Sequence, residues 1–187
     1  MSLIDFVAYY GTSQKLFRIK EAKYSKIYQS ITTDVIKSTI AMFMIDLCRH
    51  TIKEKESNPE LFDFIQNRFL ILDEAEKIPS DYHLSFALHL SNYLGFYPMD
   101  NYHKEDQPYF DLERGVFIAD PTAVKLYLGL EEAEYLSSLL KQDYSLISPT
   151  RELRQKLLDK LIQYYQLHVE GFGNLPSLEV FKTIFSS

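Results

Sequence analysis

Apolar and polar positions along this chain follow two periods, and the change from one to the other falls near residue 32. Before it, β-branched and aromatic residues dominate. Leu3-Ile4-Asp5-Phe6-Val7-Ala8-Tyr9-Tyr10 is followed by a turn signal at Gly11-Thr12-Ser13, then by Leu16-Phe17-Arg18-Ile19-Lys20-Glu21-Ala22. The pattern predicts two paired strands. Simple alternation puts Phe17 and Ile19 on one face, and Arg18 and Lys20 on the other. Two strands alone are barely stable in water, so they need a helical body or further strands beside them.

From residue 33 the period becomes helical. Thr33 or Asp34 can cap a helix to about residue 53, with Ile36, Ile40, Phe43, Met44 and Leu47 as its apolar stripe. Asn58-Pro59-Glu60 places a cap, a proline and an acid in the order that favours a helix start, and Leu61, Phe62, Ile65, Phe69 and Leu72 follow. Ser80-Asp81 opens a third helix, closed by Gly95 and Pro98. Its apolar residues lie on nearly all sides, which predicts a central position. Residues 109–118 read as a short hairpin turning at Arg114-Gly115. Helices resume at about 130–142. Ser148-Pro149 is read as the cap of a long helix through Leu153, Leu157, Leu161 and Tyr164, and Ser177 as the cap of a last short one. The fold expected is mainly α: a helical bundle over 33–187 with a small mid-domain β-hairpin, preceded by strands in 1–32.

Charge adds an asymmetry to this outline. Residues 1–30 carry Lys15, Arg18, Lys20, Lys23 and Lys26 against Asp5 and Glu21, a net +3, while the other 15 basic and 24 acidic residues leave −9. The whole-chain balance argues against generic nucleic-acid binding, but the first segment does not. A solvated strand face explains the same lysines equally well. The single cysteine excludes an internal disulfide and a Cys-rich zinc site, and a reducing cytoplasm is the compartment expected. No stretch has the apolar length of a membrane span, and a soluble protein with no membrane contact is expected.

Catalytic arrangements fail on spacing. Cys48 and His50, two apart on a helix, point to different faces, and Cys48 reads as a buried structural residue. His83 and His89, six apart on the central helix, read as satisfied core histidines. His103 and Asp106 read as solvated loop chemistry, and no phosphate-cradling loop is present. The chain is not expected to be an enzyme, and neither a cofactor nor a metal is expected.

Taken together, several segments resemble the bacterial recombination mediator family RecO, in the form found in Bacteroides-like bacteria. They are Asp5–Tyr10, Arg18–Ala22, Tyr28-Gln29-Ser30-Ile31, Asn58–Phe62, Leu90–Phe96, Tyr109–Leu112, Arg151–Arg154 and Leu175–Val180. The resemblance implies that residues 1–32 are the last two strands of an OB-fold barrel, most of which lies outside this sequence, ahead of a helical C-terminal domain. It also implies single-stranded DNA binding, strand annealing, and partnership with RecR and the single-stranded DNA-binding protein, so that RecA can load. Many members hold zinc with four cysteines around the mid-domain hairpin; here no cysteine stands there, and the zinc function does not carry over.

The residues and the resemblance meet at one place. Lys15, Arg18, Lys20, Lys23 and Lys26 interleave with Tyr9, Tyr10, Phe17, Tyr24 and Tyr28, the combination of cations and aromatic faces that holds single strands. Lys15, Arg18, Lys20, Lys23, Lys26 and Tyr24 are the candidate DNA-binding residues, with Phe17 the better candidate for core. Arg151 and Arg154, one helical turn apart, are candidates to hold a partner's acidic tail, or form a solvated face with Glu152. The rival reading is a purely structural interaction domain without its own DNA site. An unpaired strand edge at Leu3–Tyr10 further predicts self-association.

Overall fold

The computed structural model describes residues 1–9, 18–53, 56–143 and 148–186. Tyr10, the Gly11-Thr12-Ser13 turn, Lys15, Leu16 and Phe17 lie outside the described residues. The fold is mainly helical, with a two-stranded antiparallel sheet at the N-terminus and a small three-stranded sheet in mid-chain. Strand β1 (Ser2–Tyr9) pairs with β2 (Arg18–Ile27), which runs five residues past the expected end at Ala22.

The helix starts follow their caps. α1 (Val35–Thr51) begins behind Asp34, whose carboxylate accepts the Lys37 N–H at 3.0 Å. α2 (Pro59–Glu74) begins behind Asn58, which accepts the Leu61 N–H at 3.1 Å. α3 (Tyr82–Tyr93) ends at Gly95 with φ +83°. α4 spans Leu130–Lys141. Two expected caps are displaced. Thr150, not Ser148, caps α5 (Arg151–His168), accepting the Leu153 N–H at 3.1 Å. Ser177 lies inside the first turn of α6 (Pro176–Ser186) rather than before it. There its N–H and hydroxyl donate to the Asp46 carboxylate at 3.1 and 2.7 Å, tying α6 to α1.

α3 packs against α1, α2 and α5, and it buries Leu84, Phe86, Ala87, Leu88 and Leu90, as an all-round apolar helix must. The mid-chain sheet has the order β4-β3-β5: β3 (Tyr109–Asp111), β4 (Val116–Ile118) and β5 (Tyr127–Leu128). The third strand is absent from the sequence expectation because two residues carry no period. Phe110, Leu112 and Phe117 form the core of this sheet. Its turn is tied by Asp111, which accepts the N–H groups of Glu113 (2.9 Å) and Arg114 (3.2 Å). Gly115 is required there: φ is +68°, and a Cβ would lie 2.7 Å from the Tyr164 hydroxyl. That hydroxyl donates to the Phe96 carbonyl at 2.6 Å.

The junction between β2 and α1 is polar and buried. Asp73, near the end of α2, accepts the backbone N–H groups of Gln29 (3.1 Å), Ser30 (2.8 Å) and Ile31 (2.9 Å). The Lys37 ammonium donates to the Ser30 hydroxyl (2.6 Å) and to the Asp73 and Ala75 carbonyls (2.8 and 2.7 Å), so it caps the C-terminus of α2. Tyr28 and Ile31 are core residues beside it, with Tyr28 set against Phe69.

Two buried groups set the pH dependence of stability. Burial and the nearby Arg154 guanidinium lower His83 from 6.5 to about 3. At Asp73 burial pushes the carboxyl up, but the N–H groups of Ile31, Gln29 and Ser30 outweigh it and hold the carboxyl below its ordinary value. Both groups are lowered on folding, so each contributes stability above its unfolded value and loses it as pH falls toward its folded one. Stability by urea unfolding is therefore expected to decline from about pH 6.5 downward and to fall further below about 3.9. His83→Phe should remove the upper decline and Asp73→Asn the lower; a pH profile unchanged by either variant would contradict these assignments.

Candidate nucleic-acid interface

The spacing of cations along β2 is irregular: Arg18, Lys20, Lys23 and Lys26 stand two, three and three residues apart. A regular strand would divide them between its faces. Two register shifts correct this. Between Leu3 and Ile4 the partner jumps from Lys26 to Tyr24, and between Val7 and Ala8 it jumps from Glu21 to Ile19, so Ser25 and Lys20 are the extra residues of two bulges. Cross-strand partners share a face. One face therefore holds Arg18, Glu21, Lys23 and Lys26 with Tyr9, Val7, Asp5 and Leu3. The other holds Ile19, Ala22, Tyr24 and Ile27 with Ala8, Phe6, Ile4 and Ser2.

This sorting changes the candidate site. Arg18, Lys23 and Lys26 are brought together. Lys20 sits at a bulge opposite no β1 residue, so its expected partnership with Arg18 on a regular face does not hold. Tyr24 lies across the sheet from the cations, 68% exposed, on the same face as the exposed Phe6 and Ile19. Lys15 lies outside the described residues. Tyr28, one of the interleaved aromatics, is core. Among the described residues, the interleaved aromatic that shares the cation face is Tyr9, paired with Arg18 and 58% exposed. Sequence spacing gave no reason to prefer it; only the register does.

The cations on this face are unequal. Lys23 stands opposite Asp5, and Lys26 lies 3.6 Å from Glu74 at the end of α2. Arg18, at the far end from the helical body, is paired with a tyrosine instead of an acid. Toward its outer end the face carries Arg18 and Tyr9 with Glu21 on the next rung, and near the body its cations stand beside Asp5 and Glu74. Such an arrangement can hold a phosphate and stack a base at the outer end.

A second set of candidates lies on α5. Arg154 donates to the Pro149 carbonyl at 2.7 Å, and Arg151 donates to the Phe185 carbonyl. Both line a cleft with His83, Leu158, Phe181 and Lys182. The expected pairing of the arginines with Glu152 is replaced: Glu152 holds Lys156 at 2.9 Å. His83 is buried as expected but not satisfied, since its Nδ1 has no hydrogen-bond partner. His89 is satisfied through the Ser85 carbonyl at 2.7 Å.

The remaining reactive groups are quiet. Burial pushes the Cys48 thiol up to about 12, which leaves it protonated. His50 is held by the Asp46 carbonyl at 2.8 Å, and the exposed His103 and Asp106 pair at 3.0 Å. Among the described residues no group of three or more His, Cys, Asp or Glu could hold a metal ion, and no helix is long and apolar enough to cross a membrane.

Residues 32–179 match the family model for the C-terminal part of recombination protein O. Over 190 residues the chain is 36% identical to the DNA repair protein RecO of Bacteroides fragilis, covering 99% of this chain and 78% of that one. It is 34% identical over 188 residues to that of Flavobacterium johnsoniae, covering all of this chain and 77% of the relative. The Porphyromonas gingivalis protein of the same name is 25% identical over 186 residues. No solved structure matches the chain. A family model that fits from the end of the β-hairpin to α6, and relatives that align over both the hairpin and the helices, place this chain in the RecO family of DNA repair proteins.

Proposed function

We propose that this chain is a non-enzymatic recombination mediator that binds single-stranded DNA on the β1–β2 face carrying Arg18 and Tyr9. On this reading its helical body engages partner proteins. The family resemblance suggests RecR and the single-stranded DNA-binding protein as those partners, with loading of RecA and strand annealing as the outcome, in the cytoplasm. The observation that carries the DNA site is the register: two bulges gather Arg18, Lys23 and Lys26 on one face with an exposed tyrosine. Partner binding rests on the Arg151–Arg154 cleft, where cations rim an apolar floor suited to an acidic segment with an apolar side chain.

The apolar face belongs to the same reading. Ile4, Phe6, Ile19 and Tyr24 are all exposed on it, a surface that soluble proteins keep covered. In this proposal residues 1–32 are two strands of an OB-fold barrel, whose interior this face lines and whose exterior carries the cations. In the 187-residue chain the strand edges are open, and a second copy pairs with them. Light scattering should then report a dimer or larger species that Phe6→Lys disperses. A monomer at high protein concentration contradicts the open edge.

The DNA reading is tested by titrating a labelled oligonucleotide at several salt concentrations. Arg18→Ala should weaken binding and reduce the slope of log affinity against log salt by about 0.7, the share of one phosphate on a single strand. Tyr9→Ala should cost about 1–3 kcal/mol with the salt slope unchanged, as expected for a lost stacking surface. Tyr24→Ala should change neither. A larger loss at Tyr24 than at Tyr9, or a salt slope indifferent to Arg18, would move the site elsewhere and favour a pure interaction domain.

A further inference from the structure

The two edges of the β1–β2 ribbon are unlike. β2 carries both extra residues, Lys20 and Ser25, and the cations Arg18, Lys23 and Lys26. Bulges and lysines are what keep a strand edge from pairing. β1 runs from Ser2 to Tyr9 with no extra residue and no basic side chain, and among the described residues it pairs with β2 alone. Its pleat is regular, so Leu3, Asp5, Val7 and Tyr9 share the cation face and Ser2, Ile4, Phe6 and Ala8 the apolar one. The edge open to a second copy is that of β1.

Faces and charges restrict how a second copy adds. Two identical strands close into a dimer about a two-fold axis, and only antiparallel pairing then sets apolar side chains beside apolar ones. Asp5 opposite Asp5 of the second copy would oppose like charges. Ile4 opposite Ile4, or Val7 opposite Val7, would shorten the ladder. Phe6 opposite Phe6 avoids both faults: the ladder runs from Leu3 to Tyr9, Ile4 meets Ala8, Val7 meets Asp5, and the 63% exposed Phe6 gains an aromatic partner.

We propose that β1 of a second copy pairs antiparallel with β1 about Phe6, and that the two copies complete each other's DNA sites. The assignment rests on the DNA reading of the cation face and names the chain that extends it. In this register Tyr9 stands opposite Leu3 of the second copy, and Leu3 is the cross-strand partner of Lys26. Each end row of the four-stranded sheet therefore reads Arg18, Tyr9, then Leu3 and Lys26 of the second copy, across about 14 Å. That row holds two cations and a tyrosine with no acid in it. The inner rows set Glu21 and Asp5 against Lys23 and are poor places for a phosphate. Glu74 beside Lys26 is 69% exposed, and an exposed pair of this kind yields readily to a phosphate.

Cysteines on the exposed ribbon test the pairing. Asp5→Cys alone and Val7→Cys alone should give no disulfide dimer on mild oxidation, whereas an equimolar mixture should, because only unlike positions face each other. The native Cys48 thiol, kept protonated by burial, stays out of the exchange. A dimer from either variant alone, or no dimer in any combination, overturns the proposal. The same cross-link tests the shared site by titration with a labelled oligonucleotide at several salt concentrations. With Arg18→Ala on one chain and Lys26→Ala on the other, one end row stays whole and the slope of log affinity against log salt should match that of the unsubstituted cross-linked pair. With both substitutions on one chain, each end row loses a cation and the slope should fall by about 0.7. The reverse result puts the site within a single chain and overturns the sharing. A cross-linked pair that binds no oligonucleotide overturns the DNA reading instead and leaves the pairing standing.

Discussion

The carboxylate of Asp73 is the point on which the arrangement of this molecule depends. The chain leaves β2 at Ile27 and enters α1 at Val35, and between them three consecutive N–H groups must find acceptors away from any ladder. Asp73 supplies them all from α2, and Ser30 donates its hydroxyl to the Asp73 carbonyl. The charge on the other side is Lys37, which neutralises the carbonyl end of α2 and does not meet the carboxylate itself. Two buried ions of this kind cost several kcal/mol each unless every polar group is satisfied. Here the anion has three backbone donors and the cation three acceptors. The knot therefore prefers one geometry strongly, and that geometry fixes the direction in which the hairpin leaves the helices.

The proposed DNA site follows from that direction. The base of the hairpin is sealed by Tyr28 against Phe69 and by Lys26 beside Glu74. Its outer end, with Arg18 and Tyr9, stands away from an acidic body that would otherwise compete with phosphate. The two bulges then decide which side of the ribbon is cationic and which is apolar. The two roles proposed for the ribbon, DNA contact on one side and barrel packing on the other, need that separation. An unbroken alternation would have mixed them.

Much of this was legible in the residues themselves, because caps and periods are local. Asp34, Asn58-Pro59 and the all-round apolar α3 announce their roles without knowledge of neighbours. α5 is capped by Thr150 and not by Ser148, because the two offer equivalent hydroxyls two residues apart and only packing selects between them. Ser177 was claimed by Asp46, more than a hundred residues away. The candidate site was legible in composition but not in arrangement. Its cations were visible, while the pairing of Tyr9 with Arg18 depends on bulges that carry no sequence signal of their own. The unpaired nitrogen of His83 was hidden for the same reason, since a histidine on a central helix is ordinarily satisfied.

The central claim is that Asp73, Ser30 and Lys37 act as one coupled unit that orients the hairpin. A double-mutant cycle between Asp73→Asn and Lys37→Met, measured by urea unfolding at neutral pH, tests it most directly. The account predicts that the two losses do not add, with a coupling of at least about 1 kcal/mol, because removing either ion already releases the 29–31 turn. Losses that add to within about 0.5 kcal/mol would contradict it, and would mean that the two charges stabilise the junction independently.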